Sequence, residues 1–345
     1  MRNLRKVNES LTILSVETML QYLIIQLDDT SVSYCHYENP KEKFKLIGLE
    51  DLKAGILFAM KKNLMIQFVY PNYELPQEYK DVIHTIDHTD IISSLCEDNT
   101  LQANANVVVF EDYTGMDIYG FKEDSVCLIR TSKNDFFERY LFLQRPLAMA
   151  ARVNVVITDI ETLKESDFER YKKILEVLSE KLEALYLKGK SPQLNLLTDR
   201  MMLSKMNNCN AGFENITLAP DGKFYVCPAF YLASDEEDYG LGKSKFSIGN
   251  LNEGLDIKNP QLYKLSHAPI CRNCDAYQCK RCIWLNRKTT FEVNTPSHEQ
   301  CVVSHLERNA SRELLHNIRK HGEFLSNIDI KEIKYLDPFD VRKEW

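Results

Sequence analysis

Seven of the ten cysteines in this 345-residue chain are crowded into one segment, between Cys209 and Cys301. The other three, Cys35, Cys96 and Cys127, are scattered earlier in the chain. Thiolates are the preferred ligands of zinc and of iron–sulfur clusters, and thiols stay reduced in the cytosol. In a chain with no sign of secretion, this crowding predicts a metal-binding or catalytic module rather than disulfides.

The spacing of these cysteines favours two metal sites over one. The seven comprise two Cys-x2-Cys pairs and three single residues: Cys209, Cys227, Cys271, Cys274, Cys279, Cys282 and Cys301. Each pair can place two thiolates on one centre across a tight turn. Only four residues separate the pairs, whereas zinc ribbons leave about 15–20 there. In bacterial ferredoxins the last cysteine of such a run serves a second cluster. Two structural zinc ions, or buried free cysteines, are the alternatives.

Composition and charge exclude several other functions. The net charge is −7, so nucleic acid is a poor default partner. The basic stretch 1–15 is interrupted by polar residues and is not a signal peptide, and no apolar run approaches the roughly 20 residues of a membrane helix. Walker, dinucleotide-binding and nucleophile-elbow motifs are absent from the sequence. We therefore expect a cytoplasmic protein that binds neither membrane nor nucleic acid.

The elements before the cysteines alternate between short apolar strands and amphipathic helices. Strands are predicted at 22–27, 64–70, 107–110, 126–130, 153–158 and 194–197. Helices are predicted at 49–62 and from a capping box at Ser166 and Glu169 to a stop at Gly189. This alternation predicts about six parallel βα units, too few for an eight-fold barrel. The expected fold class is therefore α/β, a partial (β/α)6-type barrel, with a doubly wound sheet as the alternative.

After Cys209 the alternation of strands and helices is replaced by a different pattern of elements. A hairpin is predicted from 215–218 to 224–226, across a type I′ turn at Asp221-Gly222. A loop is expected at 233–242, and a helix at 300–319. The predicted domains are a partial barrel at 1–200, a small cysteine-rich α+β domain at 205–305, and a C-terminal helix and tail at 306–345.

The cysteine pattern resembles the SPASM domain, the C-terminal extension of radical SAM enzymes that modify peptides and proteins. The shared pattern is Cys209-x12-Gly222-x4-Cys227, then a four-cysteine run and a final cysteine. The segment Ile248-Gly-Asn-Leu251 stands where such domains commonly carry a similar IGN segment. Within this superfamily, the stretch 271–308 looks most like the maturases of CXXX-repeat peptides. The resemblance is specific over about residues 205–310.

The resemblance implies two [4Fe–4S] clusters with divided ligands. One cluster would be held by Cys271, Cys274, Cys279 and Cys301. The other would be held by Cys209, Cys227 and Cys282. The run is spaced x2, x4, x2 here and x2, x5, x3 in the family, and 203–208 lacks the further cysteine that many relatives carry. One iron would then be open, or would take an oxygen or nitrogen ligand such as His298 or His305.

The residues that would cleave S-adenosylmethionine are missing. Radical SAM enzymes carry Cys-x3-Cys-x2-Cys after the first strand, and three thiolates leave one iron free for S-adenosylmethionine. Here Ser31 and Glu38 stand at the first and third positions, around Cys35. Their oxygen atoms are hard ligands that suit iron–sulfur clusters poorly. The family's GGE segment is replaced by the glycine-free stretch 68–74. The resemblance thus implies a degenerate barrel, for which S-adenosylmethionine is a doubtful cofactor; the plain alternative is a loop with one incidental cysteine.

Three functions are compatible with these residues. The first is a protein of ribosomal peptide modification that binds a cysteine-containing precursor peptide, or partners a competent enzyme, without radical initiation. The second is an active maturase with a nonstandard third cluster near Cys35, completed by Cys96 or Cys127. The third is a zinc-stabilised peptide-binding module without a redox role. Whether the chain is an enzyme is left open.

Basic residues surround the cysteine run. They are Arg272, Lys280, Arg281, Arg287 and Lys288. As a surface patch they could attract an acidic leader peptide. Alternatively they are solvated, or they offset the charge of the thiolates.

Overall fold

The computed structural model describes residues 20–39, 44–232, 246–326 and 328–333. Its strands are β1 (Tyr22–Gln26), β2 (Met65–Val69), β3 (His88–Ser93), β4 (Val107–Phe110), β5 (Val126–Thr131), β6 (Arg152–Ile157), β7 (Gln193–Leu194), β8 (Asn215–Leu218), β9 (Lys223–Tyr225), β10 (Ser247–Asn250) and β11 (Gly254–Leu255). Its α-helices are α1 (Leu49–Lys62), α2 (Gln77–Ile83), α3 (Asn99–Asn104), α4 (Lys133–Arg139), α5 (Gln144–Met149), α6 (Glu165–Leu187), α7 (Asp199–Met202), α8 (Pro228–Leu232), α9 (Ile283–Thr290) and α10 (His298–Arg319). No helix among these residues is long and apolar enough to cross a membrane. The predicted loop at 233–242 and the stretch 1–15 lie outside the described residues.

The described residues form two compact units. The first unit comprises 20–33, 37–39, 44–107, 210–232 and 246–267. Its strands follow the order β11-β10-β9-β8-β1-β2-β3. Strand β1 pairs in parallel with β2 and β8, and β2 pairs in parallel with β3. The later strands, β8 to β11, pair with one another antiparallel.

The second unit comprises 34–36, 108–209, 268–326 and 328–333. Its strands follow the order β4-β5-β6-β7, and β5, β6 and β7 pair in parallel. The cysteine run 271–282 and the helices α6, α9 and α10 also belong to it. The chain is therefore mixed α/β with parallel strands dominating, and the predicted fold class is confirmed. The predicted domain bounds stay a prediction.

Helix α6 is stabilised by a buried apolar face and by hydrogen bonds at both of its ends. Leu175, Leu178 and Leu182 are fully buried, at the spacing that gives a helix one apolar face. The predicted capping box at Ser166 and Glu169 is wrong, because the side chain that caps the helix is Asp167, which accepts from Lys164 N at 2.9 Å. Both residues predicted for the box are exposed.

The far end of α6 confirms the predicted glycine stop. Gly189 has a φ of +78°, in the region that favours glycine. Its N–H donates to Tyr186 O at 2.9 Å, and Lys190 N donates to Leu185 O at 3.0 Å. This pair of bonds satisfies the last carbonyl groups of the helix in a Schellman motif.

The predicted hairpin joins β8 and β9, but its turn differs from the expected one. The turn covers Ala219 to Gly222 and is closed by Gly222 N donating to Ala219 O at 3.0 Å. Gly222 has a positive φ and Asp221 does not. A type I′ turn centred on these two residues needs a positive φ at both, so the predicted turn type is wrong.

Candidate metal centre

Six of the seven cysteines predicted to bind metal lie in the second unit: Cys209, Cys271, Cys274, Cys279, Cys282 and Cys301. Cys282 directly precedes α9, and Cys301 lies on the first turn of α10. Cys209 N donates to Lys280 O at 2.6 Å, which ties its segment to the run. Cys227 follows β9 in the first unit.

Two tight turns within the run place backbone donors on sulfur. Ala276 N donates to Cys274 Sγ at 3.4 Å, and Arg281 N donates to Cys279 Sγ at 3.4 Å. In each turn the donor lies two residues after the acceptor. Such bonds favour the thiolate form that binds metal, and they tune the potential of iron–sulfur clusters. The side chain of Ser304 also hydrogen-bonds Cys279.

Arg281 is a buried cation among the thiols. Its side chain is 0% exposed, and its φ is +44°. Its Nε donates to Asn208 Oδ1. Burial lowers the pKa of this guanidinium, and the charges of four thiolates oppose that shift: Cys271, Cys209, Cys279 and Cys282.

For Arg281, this position supports the alternative that the basic residues offset the charge of the thiolates. Because a buried cation needs compensating negative charge, Arg281 favours ionised thiols around it and is not part of a surface patch. By contrast, Arg272 is exposed and Lys288 pairs with Glu161 Oε1 at 3.0 Å.

Cys271 and Cys282 are buried, and the other five cysteines of the set are half-buried. Burial raises the pKa of Cys271 to about 12, with the charge of Cys279 as the second cause, and burial also raises the pKa of Cys279. Metal binding would supply the positive charge that buried thiolates need. Soft thiolates, N–H donors to sulfur and an adjacent cation together fit an iron–sulfur cluster.

The ligand sets are not resolved by geometry. Among the described residues, no three or more His, Cys, Asp or Glu side chains stand in an arrangement that could hold a metal ion. The division of the seven cysteines between two clusters therefore stays a prediction from the sequence.

The two histidines named as alternative ligands lie in different surroundings. His305 is almost fully buried, and its Nε2 lies 3.5 Å from Cys274 Sγ. His298 is exposed at the start of α10. His305 is thus in contact with one of the predicted ligands.

Cys35 lies closer to the cysteine cluster than its place in the sequence suggests. Residues 34–36 group with the second unit, although the residues on either side belong to the first. Arg130 Nε donates to Cys35 O at 3.0 Å, and His36 Nδ1 lies 3.0 Å from Ile157 O. Burial raises the pKa of Cys35 to about 12, and the charge of Cys209 is the second cause. The two thiols are therefore near enough to interact electrostatically.

The other two scattered cysteines are core residues. Cys127 lies on β5 with 1% exposure, and burial alone raises its pKa. Cys96 is buried in the first unit.

Ser31, at the first position of the missing triplet, ties two strand ends together. Its Oγ accepts from Asp28 N at 3.0 Å and donates to Val69 O at 2.8 Å. It is 1% exposed, whereas Glu38, at the third position, is exposed. The Ser31 hydroxyl is thus fully engaged in holding the loop after β1.

Tyrosines fill the stretch where glycines were expected from the family. Tyr73 OH donates to Asp28 Oδ2 at 3.0 Å, and the same carboxylate accepts from Thr30 N at 2.8 Å. The buried Tyr70 is hydrogen-bonded to Asp90, and burial raises its pKa. The carboxyl ends of β1 and β2, where parallel sheets usually bind ligands, are occupied by this network.

Sequence reasoning missed the buried acid Glu307. Tyr171 OH donates to Glu307 Oε1 at 2.7 Å, and Gln278 Nε2 lies 3.3 Å from Glu307 Oε2. Burial raises the pKa of Glu307 to about 7, while the two hydrogen bonds oppose the rise. One sequence feature could have indicated its burial: Glu307 lies four residues after Val303 and seven before Leu314, on the apolar face of α10.

Comparison with solved structures identifies the fold. Native anSMEcpe with bound AdoMet and Cp18Cys peptide aligns with a TM-score of 0.55 and 12% identity, over 90% of this chain and 100% of that chain. Histidine-tagged anSMEcpe with bound AdoMet aligns with a TM-score of 0.58 and 13% identity, again over 90% and 100%. No protein-family model matches the sequence, and no curated protein matches it. The predicted resemblance is thereby confirmed as a fold shared with anSMEcpe.

Proposed function

We propose that this chain acts in the modification of ribosomally made peptides, in the cytoplasm, by holding two [4Fe–4S] clusters and a cysteine-containing precursor peptide. The observation that supports this most is the shared fold. It extends over the full length of anSMEcpe, whose structure contains bound AdoMet and Cp18Cys peptide. The thiol-rich run then provides the donors that such clusters require.

Thiols of the second unit have surroundings that suit such clusters. Backbone N–H groups donate to Cys274 and Cys279, and Arg281 places a fixed cation beside them. When bound, such clusters transfer single electrons. Cys35, which interacts with Cys209, is the candidate for the thiol that is absent from 203–208.

The chain would not start radical chemistry from S-adenosylmethionine. Ser31 offers an oxygen that is already bonded on both sides, and Glu38 offers an exposed carboxylate. Neither is a soft ligand for an iron–sulfur cluster. The stretch 68–74 carries Tyr70 and Tyr73 and contains no glycine that would let the backbone approach a methionine amino group. We therefore propose a degenerate member of the superfamily, which binds or presents the peptide.

Metal analysis of protein purified without oxygen tests this proposal. About eight irons per chain with matching sulfide are expected, since each [4Fe–4S] cluster contains four. About twelve irons, with cleavage of S-adenosylmethionine, would show a third cluster and an active maturase. Zinc without sulfide would show a zinc-stabilised binding module.

Substitutions locate the clusters. Cys279→Ser should lower iron to about four per chain, because loss of one thiolate releases a whole cluster. Cys127→Ser is the matched control, since this thiol is buried on β5 and belongs to neither predicted site. Equal loss of iron in both variants would reflect misfolding and would contradict the assignment.

A further inference from the structure

A groove of about 910 Å³ lies in the second unit along α6 and α10. The helices contribute four cationic side chains to its described lining: Lys172, Arg200, Arg312 and Arg319. They contribute two acidic side chains, Glu176 and Glu313. The segment 328–333 runs along the groove and adds Asp329 and Glu332. The helical walls are thus net positive, and the segment seated on them is acidic.

One carboxylate anchors the segment. Glu332 Oε1 accepts from Arg312 Nε at 2.8 Å and from Arg200 Nη2 at 3.2 Å. The Arg200 side chain is 1% exposed, whereas those of Arg312 and Glu332 are about one-third exposed. A charge-assisted pair with one buried partner is stronger than a surface ion pair.

The main chain of the segment is also held. Tyr277 OH donates to Lys331 O at 2.7 Å, and Ile333 N donates to Asp275 Oδ2 at 3.3 Å. Residues 328–333 form neither helix nor strand. Side chains of the second unit therefore hydrogen-bond one backbone carbonyl and one backbone N–H of the segment, as in sites that bind extended peptides.

Two buried arginines contact the carboxylate of Asp275. Arg308 Nη1 lies 2.9 Å from Asp275 Oδ1, and Arg200 Nη2 lies 3.7 Å from Asp275 Oδ2. Both arginine side chains are 1% exposed. A buried charge left without a partner is strongly destabilising, and Glu332 gives Arg200 a second carboxylate at a shorter distance.

We propose that this groove is a docking site for an extended acidic peptide, whose carboxylate takes the place of Glu332 between Arg200 and Arg312. The segment 328–333 then occupies the site until such a peptide displaces it. The identification of the natural peptide as the precursor rests on the proposed function. The docking site itself is argued from the charges and hydrogen bonds of the groove and is independent of that function.

A synthetic copy of the segment tests the docking site. The probe is a fluorescein-labelled peptide of residues 326–333, Ser-Asn-Ile-Asp-Ile-Lys-Glu-Ile, titrated into the full chain and followed by anisotropy. The Glu332→Gln variant weakens the tethered competitor. It should bind the probe at least about tenfold tighter than the parent, because two charge-assisted hydrogen bonds to Glu332 are weakened and each is worth about that factor.

Two controls separate this site from unspecific attraction. In the Glu332→Gln chain, adding Arg312→Gln should reverse the gain, whereas adding Lys188→Gln, an equal charge change at an exposed position, should not. A probe with glutamine for its glutamate should bind at least about tenfold more weakly. Equal affinity of parent and Glu332→Gln, or indifference to Arg312→Gln, overturns the proposal.

Hydrogen exchange provides a second readout on the parent chain. Saturating probe should expose the Ile333 amide, because its acceptor on Asp275 is taken by the probe; unchanged protection of this amide contradicts displacement. Iron content is measured on the same samples. If the protein holds two clusters but does not bind the probe, the docking site is refuted and the proposed function stands. If it binds the probe but holds no clusters, the proposed function is refuted and the docking site stands.

Discussion

Replacing Glu307 with glutamine should remove a pH dependence of stability that the parent protein shows. The carboxyl group is buried on α10, and it faces Tyr171 on α6, Gln278 and Cys279 in the cysteine run, and Asp199 on α7. Burial raises its pKa from 4.5 to about 7. Because a raised pKa means that the folded protein binds the proton more tightly, the neutral acid is the form that suits the fold.

The sign and size follow from proton linkage. Between pH 4.5 and about 7 the folded chain holds a proton on Glu307 that the unfolded chain has lost. The stability that this proton contributes is therefore fully present below pH 4.5, and it is lost as the pH rises through about 7. The difference in pKa corresponds to about 3 kcal/mol of unfolding free energy.

Urea denaturation of anaerobically purified protein at pH 5 and pH 8 measures this loss. The parent should lose about 3 kcal/mol more than Glu307→Gln between the two conditions. Glu180→Gln, an exposed change on α6, should behave as the parent. Tyr171→Phe removes a donor to the carboxylate, so it should move the loss of stability to higher pH. Parallel profiles for the parent and Glu307→Gln would refute the reasoning.

Three further predictions concern charge, backbone and metal. Asp275→Asn removes a buried carboxylate that Arg308 and Arg200 both contact, so denaturation should show a loss of about 3–5 kcal/mol. The exposed Asp256→Asn should change stability by less than about 0.5 kcal/mol. Gly249→Ala should lower stability by about 1–3 kcal/mol in the same assay, because a Cβ there would lie 2.0 Å from Gly254 O. Removing bound metal should lower the melting temperature in calorimetry, since thiolate ligands are assembled only in the folded chain; an unchanged melting temperature would contradict a structural role.

Elements with strong periodic patterns were predictable. The bounds of α1 and β4 match the prediction from apolar spacing. Strand β3 was missed because its first three residues, His88 to Asp90, are polar, and His88 pairs with Asp90 at 3.2 Å. Helix α2 was missed because it has seven residues and no side-chain cap. Short elements of this kind are determined by their neighbours rather than by local sequence.

The site shows a similar division. Spacing alone indicated that the thiols of the run gather in one module, and Cys209 is tied to that run at Lys280. The burial of Arg281 was not predictable, because arginine is ordinarily a surface residue. The pairing of Tyr171 with Glu307 joins residues 136 positions apart, and no local pattern reports such a contact.

The hydrogen bonds of Ser31 have an evolutionary consequence. Its hydroxyl holds Asp28 N and Val69 O, and the neighbouring Asp28 carboxylate is held in turn by Thr30 and Tyr73. A cysteine at this position could bind iron only by giving up both bonds, each worth about 0.5–1.5 kcal/mol, while its neighbours remained arranged for an oxygen. A single Ser31→Cys substitution would thus weaken the loop before any thiolate site was complete. In evolution, this loss of stability opposes a stepwise change of the loop toward a thiolate site and favours its present structure.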